Sequence, residues 1–135
     1  MHSQIFVNLP VKDLKRSIAF FTGLGYTFNP QFTDDNATCM ILGDNLFAML
    51  LLEPYFKGFI QGREVSDAHR ATEVLLAVPV DSRDAVDALL AKALAAGATE
   101  PRPTQDLGFM YSRAYADLDG HIWEVFHMSG MPPAA

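Results

Sequence analysis

Cysteine is nearly missing from this chain: Cys39 is the single one in 135 residues, so an intramolecular disulfide is impossible and a cysteine-rich zinc site is excluded. Within "ATCMILG" it reads as a small core residue. Basic residues are few as well. Ten Lys and Arg against 16 Asp and Glu give a net charge of −6 without any basic cluster, which argues against a nucleic-acid partner and against strongly anionic partners in general. No apolar run approaches the length of a membrane span, and the opening "MHSQIFVNLP" has no basic segment followed by a long apolar one, so no membrane partner and a cytoplasmic location are expected. Gly-x-Ser-x-Gly elbows, motif-spaced Ser/His pairs and Gly-rich phosphate loops are missing too; "GLG" at 23–25 ends a helix where a phosphate loop would begin one.

What is present is an ordinary globular composition, with 50% hydrophobic and 19% charged residues, in a length suited to one domain or to two repeated modules sharing a core. The chain repeats itself. "FVNLPVKDLKRSIAFFTGLGYTF" from Phe6 and "LLAVPVDSRDAVDALLAKALAAGATE" from Leu75 each run through an apolar stretch, Pro-Val, an acidic residue, an amphipathic segment and a Gly. In the first, Leu14, Ile18 and Phe21 fall at i, i+4, i+7, and Asp13 stands ready to cap; this predicts a helix over 13–24. In the second, Val86, Leu89, Leu90, Ala93 and Leu94 predict a helix over 82–96, capped by Asp81 or Ser82 and stopped at Gly97.

Strand character marks 4–9, 26–32, 38–42, 46–52, 73–80, 98–101, 109–116 and 121–128, so each module reads β-α-β-β-β. The expected organisation is one domain over 1–135: module one at 1–52, a linker at 53–72, module two at 73–128 and a frayed tail at 129–135. The linker shows neither periodicity, and its aromatics Tyr55, Phe56 and Phe59 are placed to cover either a pocket mouth or a patch of core.

The closing segment "DLDGHIWEVF", Asp117 to Phe126, sets Glu124 inside a strand, where a carboxylate is disfavoured unless it is solvated, paired or functional. Strand parity puts Ile122, Glu124 and Phe126 on one face, with His121, Trp123, Val125 and His127 on the other. By the same rule His2, Gln4, Phe6 and Asn8 share a face, as do Glu73, Leu75 and Ala77.

The paired pattern, opened by "LPVKDLKRSIAFFTGLGY" and closed by "DLDGHIWEVF", resembles the vicinal oxygen chelate superfamily, which includes glyoxalase I, extradiol dioxygenases, and fosfomycin and bleomycin resistance proteins. The resemblance covers residues 4 to 128 and implies an α+β fold: two βαβββ modules forming a curved eight-stranded mixed sheet with its helices on the convex side. It further implies that the metal ligands of metal-dependent members fall here at Phe6, Met49, Leu75 and Glu124, of which only Glu124 is able to bind a metal. About three N or O ligands are needed for such a centre, so no metal and no other cofactor are expected at the usual site. An atypical site built from His2, Glu73, Glu124 and Asn8 is the open alternative.

What remains is a concave surface lined by Phe6, Asn8, Phe47, Met49, Glu73, Leu75, Ile122 and Glu124, mostly apolar with a few polar groups, the usual composition of a small-molecule site. The expected function is metal-free binding of a small apolar or aromatic molecule, with Glu124 as a lone carboxylate anchor and the candidate catalytic group if there is catalysis. A metal-dependent lyase or isomerase of lactoylglutathione lyase type, or an extradiol dioxygenase with an atypical ligand set, is the alternative. Unpaired strand edges and a half-built cup imply a homodimer.

Overall fold

The computed structural model describes residues 1–132. Two compact units divide the chain, Met1–Ser66 and Asp67–Ala135. Each contains one four-stranded mixed sheet, which makes eight strands in all among the described residues.

In the first unit β1 (Ile5–Val11) leads into α1 (Leu14–Gly23), β2 (Thr27–Asn29), β3 (Ala37–Gly43) and β4 (Leu46–Leu52), assembled in the order β1-β4-β3-β2. Strand β1 runs parallel to β4, while β4, β3 and β2 are antiparallel neighbours. Helix α1 starts where its sequence signals it: the Asp13 side chain accepts from the Arg16 amide, satisfying one of the free donors of the first turn. Its buried residues Leu14, Ser17, Phe20 and Phe21 lie in a core with Leu9, Val11, Met40, Ala48 and Leu50. Cys39 is 1% exposed, and burial pushes its thiol pKa up, as expected of an inert core residue.

The second unit repeats the plan: β5 (Leu75–Pro79), α3 (Arg83–Ala95), β6 (Gln105–Asp106), β7 (Met110–Ala116) and β8 (Ile122–Met128), in the order β5-β8-β7-β6 with β5 parallel to β8. Ser82 caps α3 by accepting from the Ala85 amide, and Gly97 takes the left-handed conformation after it, φ +110°. Trp123, Val125 and Tyr115 are fully buried together with Val86, Leu90 and Ala93 of α3.

Five local expectations change. The strand expected at 26–32 ends at Asn29, because Pro30 starts a single 3-10 turn, Pro30–Phe32, whose first free amide, that of Gln31, is capped by the Asn29 side chain. The strand expected at 98–101 reduces to one bridge, Thr99 with Ala116, and the ladder resumes only at β6; Pro101 and Pro103 carry no amide hydrogen to continue it. The aperiodic linker contains α2 (Glu53–Lys57), started by Pro54 in its first turn. Glu73 precedes β5 instead of lying in it, so it does not share a strand face with Leu75. Of the expected tail at 129–135, Ser129 is tied down by an amide bond to the Phe109 carbonyl, 2.8 Å, and residues 133–135 lie outside the described ones.

Candidate functional site

Ladder register tests how the two modules correspond. In the first unit Phe6 pairs with Phe47 and Asn8 with Met49; in the second Leu75 pairs with Ile122 and Ala77 with Glu124. Phe6 and Leu75 therefore hold equivalent places on the parallel strand pair, and Met49 and Glu124 hold equivalent places two residues further along. All of these point away from the face that packs on the unit's own helix, since Ala48, Leu50, Trp123 and Val125 at the alternate positions are fully buried.

On the open face of the first unit Phe6 and Phe47 stack, with ring centroids 4.7 Å apart and planes 15° from parallel. Beyond them is a hollow of about 380 Å³ lined by Asn8, Met49, Ala37 and Leu51 from the sheet, by Gln31 to Asp34 from the 3-10 turn and the two residues after it, and by Tyr55 and Phe59. A neighbouring hollow of about 460 Å³ shares Asn8, Leu51 and Phe59 and adds Phe56 and Ile60. Tyr55 and Phe59 meet edge to face at 5.2 Å. The aromatics of the segment after β4 thus line a cavity, the first of the two roles open to them. Gln31 and Phe32 fall inside the strand expected at 26–32 and Thr33 just beyond its end, so strand character hides all three. The Asn8 amide donates weakly to the carbonyl of Phe6, 3.3 Å, and the residue is exposed.

The second unit's open face is polar at the equivalent place. Glu124 is not a lone carboxylate: its Oε2 accepts from Nη2 of Arg102 at 3.2 Å, with the two side chains 27% and 31% exposed. Nη2 also donates to the buried Ser112 hydroxyl, 2.8 Å, and Nη1 donates to the carbonyl of Pro103, 3.2 Å. The expectation of an unpaired, desolvated charge is corrected by this guanidinium, which a loop between α3 and β6 carries across β7. The sequence clue is Arg102 itself, held between two prolines that stiffen the backbone on either side. Leu75 is half exposed and Ile122 partly so, whereas Glu73 is exposed and outside the sheet.

The turn before β8 is built around Asp117, which is 6% exposed and accepts from the amides of Asp119 and His121 and from Trp123 Nε1, each at 3.0 Å. Burial raises its pKa, opposed by His121 nearby and by those donors. Asp117 therefore orients the tryptophan and the turn, and Glu124 comes next on a strand fixed from both sides. His127 makes a bond from Nδ1 to the Val80 carbonyl, 3.0 Å, on the helix-facing side.

The four positions that would carry metal in the resembling family do not fit one. Three are Phe6, Met49 and Leu75, and the fourth is engaged by a guanidinium. His2 is exposed ahead of β1 and Glu73 ahead of β5, and among the described residues no three His, Cys, Asp or Glu side chains converge.

Comparison with known proteins agrees with the topology. Residues 4–43 match the family model described as bleomycin resistance protein-like N-terminal. Among solved structures, a glyoxalase-related enzyme from Fulvimarina pelagi is 24% identical, with all of this chain and 94% of the other covered at a TM-score of 0.80. This is the fold of the vicinal oxygen chelate superfamily. A hypothetical protein from S. aureus is 26% identical over 94% of this chain and 95% of its own, TM-score 0.78. The bleomycin resistance determinant encoded on the transposon Tn5 is 18% identical over 96% of this chain and 100% of its own, TM-score 0.65. No curated protein matches the sequence.

Proposed function

We propose that this chain binds a small apolar or aromatic molecule without using a metal. The observation that carries the reading is the pair of adjoining hollows on the first unit's open face: in one, Tyr55, Phe59, Phe32 and Met49 stand among the polar groups of Asn8, Gln31, Thr33 and Asp34, and in the other Leu51, Phe56, Phe59 and Ile60 supply a more apolar wall. Each has a volume within the range of small-ligand sites, and the aromatic walls favour a flat guest through stacked or edge contacts. Metal independence rests on the donor set, since Phe6, Met49 and Leu75 offer no N or O atom and Glu124 faces Arg102. The names of the family model and of the transposon-encoded neighbour make bleomycin one compound to test.

Titration with the neutral fluorophore N-phenyl-1-naphthylamine, and separately with bleomycin, tests the reading. At least one should give saturable binding that Phe59→Ala and Tyr55→Ala each weaken by about tenfold, the effect of losing one buried aromatic contact. Unaltered affinity in both variants defeats the cavity. Retention of about one equivalent of Zn, Ni, Mn or Fe after dialysis, lost in Glu124→Ala, defeats the metal-free part. The homodimer belongs to the same reading: Ile5, Phe6 and Leu46 are exposed apolar residues on or beside the first unit's parallel strand pair. A monomeric mass at micromolar concentration in light scattering would remove it. Among the described residues no helix is long and apolar enough to cross a membrane.

A further inference from the structure

We propose that Arg102 and Glu124 together form a recognition site, on the open face of the second unit's sheet, for neutral molecules that carry a carbonyl next to an N–H, amides and ureas being the simplest. The pair is neither buried nor loosely solvated, with side chains 31% and 27% exposed. It is held in place, because Nη2 of Arg102 is shared between Glu124 and the buried Ser112 hydroxyl while Nη1 is tied to the Pro103 carbonyl. A guanidinium anchored at three points has lost most of its rotamer freedom before any ligand arrives, which lowers the ordering cost of binding.

The same bonding leaves groups to spare. Among the described residues Oε1 of Glu124 and Nε of Arg102 have no hydrogen-bond partner, so the pair presents an acceptor and a donor side by side. Its neighbours leave space: the residues opposite Glu124 on the two flanking strands are Ala77 and Ala114, and neither extends beyond Cβ. Ala114, fully covered, shares the rung of Glu124 and lies two residues from Ser112, between the two groups that the arginine spans.

Charge selects the ligand class. A cation approaching Oε1 of Glu124 meets the guanidinium that is held 3.2 Å from the same carboxylate, and an anion approaching Nε of Arg102 meets that carboxylate. A neutral carbonyl accepting from Arg102 with its own N–H donating to Glu124 satisfies both groups and breaks neither bond. The site lies in the other unit from the hollow of the proposed function and stands independently of it.

Three probes of one shape separate the possibilities: benzamide, benzoate and benzylammonium, titrated while following the 15N resonance of Arg102 Nε and the 13C resonance of the Glu124 carboxyl group. The native protein should bind benzamide about tenfold more tightly than either charged probe, the scale of one charge-assisted hydrogen bond. Arg102→Met should turn the preference to benzylammonium, and Glu124→Gln should turn it to benzoate. Arg102→Lys keeps the charge without the planar fork, so benzamide should weaken with no turn toward the cation; it also serves if Arg102→Met fails to fold. Equal or better binding of a charged probe by the native protein, preferences unmoved by the substitutions, or no saturable shift at Arg102 Nε overturns the proposal.

Discussion

The two units share strand order and ladder register, yet they place their bulk on opposite sides of the helix-sheet interface. In the first, the helix supplies the large side chains: Phe20 and Phe21 are 4% and 2% exposed, edge to face at 4.9 Å, over a sheet of Leu, Val, Ala and Met. In the second, the sheet supplies them, with Trp123 stacked on Tyr115 beneath an alanine-rich α3 whose buried residues are Val86, Leu90 and Ala93. The open faces differ in kind too, stacked Phe6 and Phe47 beside Met49 in one, and the Arg102–Glu124 pair in the other. Alternation and turn geometry therefore hold the topology, while volume and charge move between partners as long as the interface is filled.

The strongest way to break this comparison is to remove the bulk from each side in turn. Trp123→Ala should destabilise the protein by about 3–5 kcal/mol, because it empties a fully buried site and leaves Asp117 without its indole donor. Phe21→Ala should fall in the same range of about 3–5 kcal/mol. Urea unfolding followed by far-UV circular dichroism measures both, as Trp123 is the sole tryptophan and fluorescence would vanish with it. A cost below about 1 kcal/mol in either would mean that the bulk of that unit is not where its core is made.

The next largest contrast is between two glycines. Gly120, φ +89°, is pressed by the backbone of Ala68 and His69, and a Cβ there would come within 2.6 Å of the His69 nitrogen. Gly25, φ +104°, has nothing within 4 Å of the same position. Gly25→Ala should thus cost about 1–2 kcal/mol, the backbone term alone. Gly120→Ala should cost more, since the 68–69 segment must move as well. Equal costs in thermal melts would show that the segment yields freely.

How far the chain could be read before its structure depended on the range of the determining contact. Both long helices and their caps at Asp13 and Ser82 arise from signals within a few residues, and β4 arises from a seven-residue apolar run between turn residues. The equivalence of Phe6 with Leu75 comes from the repeat, because the Pro-Val anchors set the same offset in both halves. The strand at 98–101 failed because propensity outweighed the loss of amide hydrogens at Pro101 and Pro103. Arg102 was missed for a different reason: its bond to Glu124 joins residues 22 apart through a loop whose path no local pattern encodes.

That missed pair reverses one expectation. A lone carboxylate would make Glu124→Gln neutral or stabilising, whereas a carboxylate bonded to a partly buried guanidinium makes the substitution unfavourable by about 0.5–1 kcal/mol. Met49, the equivalent residue of the first unit, has no such pair, so Met49→Leu should stay within about 0.5 kcal/mol. A double-mutant cycle of Glu124→Gln with Arg102→Met measures the coupling, and a value indistinguishable from zero would make the pair incidental.

The smallest expected effect concerns how the two long helices begin. Helix α1 is started by the Asp13 cap, while α3 has the Ser82 cap and a further clamp: Arg83 holds Asp106 of β6 through two bonds of 2.8 Å and lies 4.9 Å from the ring centroid of Tyr111. The Arg83 hydrogen bonds, helped by the Gly108 amide, bring the Asp106 pKa down to about 2 from an ordinary 3.8. A carboxyl group whose folded pKa is depressed adds stability that is complete above its unfolded pKa and disappears as pH falls through the folded one, here between about 4 and about 2. Both partners are about half exposed, so solvent and salt screening keep the contribution small, and the sharper observable is the titration itself. A 13C titration of the Asp106 carboxyl should show a midpoint near about 2 in the native protein. Arg83→Gln should move it most of the way back, the Gly108 amide retaining the remainder. A native midpoint already at the ordinary carboxylate value would show that the clamp is open in solution, leaving α3 started by its cap alone, as α1 is.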